Sequence, residues 1–401
     1  MKVLMVTPAL PWPAHQGGTM RVLGLLKGLH GAGHRISLLS VGPPPEADLP
    51  LHDLCEEIVT ASPPTRRPVD RLRDLVLSGK PDIALRLVSH ELRQGLKELL
   101  EGQEFDLVQF EGLEVCDLLP LVRQWRPDLP CCYDAFNAEY LLQRNLFLVD
   151  RRQPARWPHA LWSWLQARRI ASFERNICHL ARGTLAVSEE DARALRALSP
   201  QSPVAVVPNG IFTSHYSLVE PGHNAVPVLA FTGKMDYRPN VDAMHWFCNR
   251  VLPRVLEERP DCRLNIVGQS PHSSLKQLAR SKHINVTGWV EEIQPWLHGC
   301  DVYVAPLQAG SGTKLKVLEA MASGCAIVAT SVAASGLPPV LVQAMRLADE
   351  ESDMANAIIE LLDDPQLRRQ MGAAAAAAVR ETSDWSAILP SLLNAWERFG
   401  L

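Results

Sequence analysis

No stretch of the 401-residue sequence approaches the roughly 20 consecutive apolar residues that a bilayer-spanning helix requires. Near the amino end, the apolar run Val3 to Val6 is short, and Pro8, Pro11 and Pro13 follow it. A secretory signal needs a longer apolar region and a small-residue cleavage site. The net charge of -4 supplies no global basic field for nucleic acid. Nine cysteines form no CxxC pair, which fits a reduced chain whose thiols act as small hydrophobes. There is no HExxH, no zinc-ligand spacing and no DxD triplet to seat a divalent cation. There is no GxSxG elbow to carry a hydrolase nucleophile. These absences lead to the expectation of a cytoplasmic protein, free or peripheral to the inner membrane face, that needs no metal and no cofactor.

What is present is the composition of a globular protein, with 47% hydrophobic and 21% charged residues. The length suits two domains of about 200 residues each. The first residues read as strand, loop, helix, strand: Val3 to Val6, a proline-rich loop, a helix carrying Val22, Leu25, Leu26 and Leu29, then Ile36 to Val41. Continuous apolar runs mark strands buried on both faces of a parallel sheet. Further strands are read at 105–110, 130–134, 183–187 and 204–207, and Ser188 with Asp191 forms a capping box. The segment 66–100 reads as helical. A second series starts near Val226, with strands at 228–232, 263–267, 284–287, 302–305 and 326–329 and helices at 240–256 and 314–322. Two strand-helix series predict an α/β protein of two Rossmann-like, doubly wound domains. The expected boundaries are 1–207 with a returning helix at about 385–401, and 208–384, joined by a Pro- and Gly-rich linker at 208–227.

The segment from Ala309 to Gly324 is the most informative. It follows a buried strand and opens a helix. Gly310 and Gly312 let the backbone approach a ligand, and the helix amides after them favour an anion. Lys314 and Lys316 add positive charge, so the turn reads as a diphosphate cradle of backbone and lysine. Glu319, farther into the helix, suits the vicinal hydroxyls of a ribose. Gly233 ends a strand at the edge where ligands bind in open α/β sheets, and Lys234 and Arg238 after it can reach a leaving diphosphate. Gly17-Gly18 follows the first strand as a second glycine turn. Asn137 and Glu139, after the strand at 130–134, can orient an acceptor hydroxyl. Between Arg151 and Arg175, arginines at 151, 152, 156, 168, 169 and 175 mix with Trp157, Trp162 and Trp164. That mixture suits an anionic lipid surface or, as the favoured reading, a helix with tryptophans in the core and charges outside.

Taken together, several segments resemble the family 4 retaining glycosyltransferases of GT-B fold (glycosyl transferases group 1), of the bacterial sugar transferase type. They are Val207 to Gly210, Phe231 to Gly233, Asn265 to Gly268, Val286 to Gly288, Asp301 to Pro306 and Lys316 to Gly324. Asp106 to Gln109 and Asn137 to Tyr140 match more loosely. The resemblance implies two domains facing each other across a cleft, with a final helix crossing back to the first. It implies a nucleotide-sugar donor, a UDP- or GDP-sugar or similar, in the second domain and a sugar, lipid-linked or small-molecule acceptor in the first. It also implies retention at the anomeric carbon without an essential metal. The donor side would comprise Gly233, Gly268, Gly288, Trp289, Val290, Gly310, Ser311, Gly312, Thr313, Lys314, Leu315 and Lys316. Lys234, Arg238 and Glu319 would carry catalysis, and Gly17, Gly18, Asn137, Glu139 and Asn209 would line the acceptor side or cleft. This chain departs from the family pattern at Ser311, where a glutamate is usual, at Pro239, where a lysine is usual, and at Phe136, where many relatives carry histidine. An epimerase acting on sugar nucleotides and a non-catalytic sugar-nucleotide-binding protein are the alternative readings.

Overall fold

The computed structural model describes residues 1–14, 17–67, 70, 73–74, 78–151, 157–218, 226–310 and 312–401. The chain divides into two compact units, residues 1–209 with 388–401, and residues 210–387.

In the first unit, apolar runs form β1 (Lys2–Thr7), β2 (Arg35–Val41), β3 (Glu57–Ala61), β4 (Leu107–Glu111), β5 (Cys131–Ala135), β6 (Gly183–Ala186) and β7 (Val204–Val206). All pair in parallel, in the order β3-β2-β1-β4-β5-β6-β7. The central strands are buried on both faces because helices cover both sides of the sheet. The second unit repeats the plan with β8 (Val228–Thr232), β9 (Arg263–Val267), β10 (Ile284–Gly288), β11 (Val302–Ala305), β12 (Ile327–Ala329) and β13 (Arg346–Leu347). Their order is β10-β9-β8-β11-β12-β13, again parallel. In each sheet the strand order reverses once, between β1 and β4 and between β8 and β11. Such a switch point opens a crevice beyond the carboxyl ends of the two strands.

Several elements differ from the sequence expectation for physical reasons. The strands β3 and β13 were not predicted; each is short and lies at the outer edge of its sheet. The 66–100 region is not one helical stretch: besides helical residues at 70 and 73–74 it holds the helices Asp82–Leu85, which Pro81 precedes, and His90–Gly102. The helix read at 240–256 is interrupted. It runs from Arg238 to Trp246, widens into a π turn at Phe247–Val251 and resumes at Leu252–Glu258. Pro253 has no N–H to donate back into the preceding turn, which explains the break. Of the described part of the 208–227 stretch, residues 208–209 belong to the first unit and the rest, from Gly210 on, is anchored within the second. Ile211 and Tyr216 are buried there, and Asp384 accepts from the amide and hydroxyl of Thr213. The Ser188 cap is present, with its hydroxyl accepting from the Asp191 amide at 3.1 Å. The last helix, Trp385–Phe399, belongs to the first unit from Ile388 onward. There the Trp396 indole donates to Gln109 Oε1 at 3.0 Å. All nine cysteines are free and buried.

Candidate functional site

The second unit holds a cavity of about 260 Å³ beyond the carboxyl ends of β8 and β11. Residues after β8 form one wall: Lys234, Tyr237, Pro239 and Asn240. The other wall is the turn from Leu307 to Lys316, with Ala309, Gly310, Thr313, Lys314 and Leu315. The turn holds its shape through Gly310 at φ +135° and Gly312 at φ +69°, conformations that cost glycine little and other residues much. It leads into the helix Leu315–Ala322, whose first amides have no partner within the helix and whose dipole favours an anion. Ser311 lies outside the described residues.

Three lysines reach this region, and the structure gives them different settings. Lys234 is exposed and pairs with Asp236 at 3.7 Å. Lys314 turns inward. Its ammonium donates to the carbonyls of Gly312 at 2.7 Å and Gly310 at 3.4 Å and to the Ser335 hydroxyl at 3.2 Å. These bonds fasten the turn, and Lys314 also lines the cavity. Lys316 is densely packed by protein but keeps accessible surface where it lines the cavity. Its ammonium lies 2.5 Å from Asn240 Oδ1 and 4.7 Å from the centre of the Phe231 ring. Burial is the main cause that lowers its pKa to about 7; Glu319 opposes that shift and Lys314 adds to it.

Glu319 also keeps some accessible surface. The Tyr216 hydroxyl donates to its Oε1 at 3.2 Å. Burial raises its pKa, opposed by that hydrogen bond and by Lys316. Arg238 lies at the start of its helix and pairs with Asp242 at 3.4 Å, along that helix. Gly233 and Gly268 end β8 and β9 side by side: a Cβ on Gly268 would stand 1.7 Å from the Gly233 carbonyl. Gly288 ends β10, and its carbonyl accepts from the Gly268 amide at 3.2 Å. Trp289 is 69% exposed, and neither it nor Val290 lines the cavity.

In the first unit the structure corrects the reading of Gly17-Gly18. Both lie in the first turn of the helix Gly17–Gly31. A Cβ on Gly18 would stand 3.1 Å from the Phe136 ring, so that residue has a packing reason to be glycine. Asn137 donates to Glu139 Oε1 at 3.2 Å. Burial is the main cause that raises the Glu139 pKa to about 7, with Glu114 adding repulsion. The buried Glu174 carboxyl accepts from the amides of Glu139 and Tyr140 at 3.1 Å each and from Tyr133 at 3.2 Å, capping the helix Glu139–Asp150. Asn209 Oδ1 accepts from Arg21 at 3.1 Å.

Arg21 is the residue the sequence reading missed. It is 1% exposed and forms a bidentate pair with Asp134, both contacts at 2.7 Å. It also donates to the carbonyls of Val207 and Pro208. Glu111 is buried nearby, and burial with the Asp134 charge pushes its carboxyl well above its ordinary range. A charged residue on the apolar stripe of a helix, one turn before Leu25, was the signal that could have found it.

The tryptophans of 157–164 are not core. Trp157 is 62%, Trp162 38% and Trp164 38% exposed, with Leu161 at 66%. The Arg168 guanidinium stacks over Trp164 at 4.5 Å. Arg152 and Arg156 lie outside the described residues. No helix among the described residues is long and apolar enough to cross a membrane. Among them, no group of three or more His, Cys, Asp or Glu side chains could hold a metal ion. A larger cavity of about 430 Å³ lies in the first unit against Arg175, His179, Ser199 and Gln201. Two helices end there, at Leu180 and Leu198, and helix carboxyl ends disfavour an anion.

Residues 15–215 match the family model described as Glycosyltransferase Family 4, and residues 226–364 match Glycosyl transferases group 1. The chain is 30% identical over 185 residues to a GDP-mannose-dependent monoacylated alpha-(1-6)-phosphatidylinositol monomannoside mannosyltransferase of Corynebacterium glutamicum, covering 43% of this chain and 47% of that one. It is 31% identical over 152 residues to the phosphatidyl-myo-inositol mannosyltransferase of Mycolicibacterium smegmatis, covering 36% and 39%. The chain thus spans less than half the length of these curated relatives. Among solved structures it is similar to sucrose-phosphate synthase of Thermosynechococcus elongatus, with TM-score 0.73, 16% identity and coverage of 100% and 99%. It is also similar to Anabaena HepE in complex with UDP and glucose, with TM-score 0.66, 14% identity and coverage of 99% and 100%. At these identities the likeness is one of fold. The family model at 15–215 spans half of the chain, and the chain belongs to glycosyltransferase family 4.

Proposed function

We propose that the protein is a retaining, metal-independent glycosyltransferase that moves a hexose-like sugar from a nucleoside diphosphate sugar to an acceptor hydroxyl. The observation that carries this reading is the cavity at the β8–β11 switch point. It combines a glycine turn, a helix amino end and lysines, which together suit a diphosphate. As the bond between the anomeric carbon and the phosphate oxygen breaks, the electron pair stays on the diphosphate. Lys234 and the amides of Gly312 to Leu315 would stabilise that charge, with Arg238 swinging from Asp242 to join them. Glu319 would hold the ribose hydroxyls, and Trp289, exposed after β10, would flank the donor. The acceptor oxygen bonds to the anomeric carbon on the same face, and its proton passes to the departing phosphate oxygen. On the acceptor side we place Asn137 and Glu139.

The relatives named for GDP-mannose and the neighbour solved with UDP make GDP- and UDP-sugars the first donors to test. A thermal-shift panel of nucleoside diphosphates and their sugars should show stabilisation by one base in preference to the others. Slow release of sugar from a radiolabelled donor should follow. No stabilisation by any nucleoside diphosphate would sink the reading, and binding without sugar release would leave a binding protein. The exposed tryptophans with Arg168 support a peripheral contact with an anionic lipid surface through 151–175. Replacing Trp157 and Leu161 by serine should then reduce sedimentation with phosphatidylglycerol vesicles while leaving phosphatidylcholine vesicles unaffected.

A further inference from the structure

Lys316 stands in an unusual place for an ammonium group. It projects from the helix Leu315–Ala322 toward the end of β8, where a Cβ on Gly233 would lie 2.7 Å from its Nζ. Among the described residues its one hydrogen-bond acceptor is Asn240 Oδ1 at 2.5 Å, and no carboxylate lies within ion-pair distance. The Asn240 amide is held in that orientation because its Nδ2 donates to the Lys234 carbonyl at 2.8 Å. The other neighbour, the Phe231 ring at 4.7 Å, offers only a π face. An amide oxygen and a ring stabilise an ammonium far less than a carboxylate does, so the site is built around a lysine but not around its full charge.

The charges that act on Lys316 are few. Glu319, on its own helix, favours the ammonium, and Lys314, from the preceding turn, opposes it. Lys234 lines the same cavity. From β8 it meets the uncharged Phe231, and from the helix Arg238–Trp246 the uncharged Asn240. The cavity itself is therefore the place from which a compensating negative charge can come.

We propose that binding of a nucleoside diphosphate in this cavity is coupled to protonation of Lys316, which thereby becomes the cation that receives the leaving diphosphate. This rests on the function proposed above and adds a specific actor to it. The proton comes from solvent as the donor binds, and it stays on Lys316. When the glycosidic bond breaks, the electron pair remains on the phosphate oxygen, and the ammonium donates a hydrogen bond to it. A neutral amine in the empty site also avoids the cost of an unpaired buried charge. The lowering of the Lys316 pKa to about 7 agrees with this arrangement.

The test is calorimetric titration of the full chain with UDP and with GDP at pH 8 in HEPES and in Tris, buffers of different ionisation enthalpy. With Lys316 near 7, the wild type should take up about 0.9 proton per diphosphate bound. The dissociation constant should weaken on the order of tenfold between pH 8 and pH 9. Lys316→Arg should still bind but exchange no proton, because arginine stays charged. Lys316→Met should lose both the uptake and the pH slope. Wild-type binding without proton uptake would overturn the coupling and leave the donor site standing. Uptake that persists in Lys316→Arg would move the proton to another group. Failure of every nucleoside diphosphate to bind would remove the proposed function and this inference together.

Discussion

In the amino-terminal unit the guanidinium of Arg21 is closed by its own chain: five donated hydrogen bonds reach Asp134, Val207, Pro208 and Asn209. In the carboxyl-terminal unit the ammonium of Lys316 has one amide oxygen and an aromatic face, and it borders a cavity of about 260 Å³. Both groups sit at the carboxyl edge of a parallel sheet, near the switch point of strand order. The contrast separates two uses of buried charge. A cation paired with a buried carboxylate and ringed by carbonyls holds segments of chain together. One left short of acceptors beside a cavity is placed to meet a ligand.

The most direct way to break the comparison is Arg21→Met. It would leave Asp134 as a buried carboxylate without its partner and release the carbonyls of Val207 and Pro208. Losing one member of a buried pair costs roughly 3–5 kcal/mol. Urea unfolding should show that loss, and a cost below about 1 kcal/mol would mean the pair is not holding the fold. The second unit offers a change of opposite character. Lys234 is exposed, with its only ion pair among the described residues to Asp236 at 3.7 Å. Lys234→Ala should change stability by less than about 0.5 kcal/mol. Turnover should fall by about 10²–10³-fold, as when one stabilising donor is removed from a transition state. Unchanged turnover would take Lys234 out of the mechanism.

The sheets were legible because burial on both faces forces continuous apolar runs, and β8, β9 and β11 fall where those runs predict them. The glycine turn at 309–312 was legible because strand, glycines and helix start are consecutive in sequence. Arg21 was not, since its partner Asp134 lies 113 residues away and the carbonyl of Val207 lies 186 away. Nor can spacing tell which of two lysines turns inward. Lys314 and Lys316 are two residues apart and both line the cavity, yet one ammonium is held by the carbonyls of Gly310 and Gly312 and the other faces Asn240. The tryptophans at 157–164 were misjudged because a large aromatic side chain is usually core, and only tertiary packing decides whether a helix face is covered. Gly17-Gly18 read as a loop because two glycines disfavour a helix, whereas the packing of Gly18 against Phe136 holds them in one.

The finest test concerns Glu111, the second carboxyl beside Arg21. Its Oε1 accepts from Gln109 at 2.7 Å, and burial with the nearby Asp134 pushes its pKa well above 4.5. A carboxyl that stays protonated in the folded chain is close to glutamine in shape and charge. Glu111→Gln should therefore leave stability nearly unchanged at pH 5, within about 1 kcal/mol. The sign at higher pH follows from linkage. Above pH 4.5 the unfolded wild type gives up the proton that the folded state keeps, so wild-type stability falls as pH rises toward the folded pKa. Glutamine has no proton to lose, and the variant should gain on the wild type as pH rises from 5 toward the folded pKa of Glu111. Urea midpoints for the two proteins across that range would show diverging curves. Parallel curves would mean that Glu111 is already ionised when folded. Arg21 would then be balanced by two carboxylates, and its cluster would carry a net negative charge that the contrast with Lys316 does not allow.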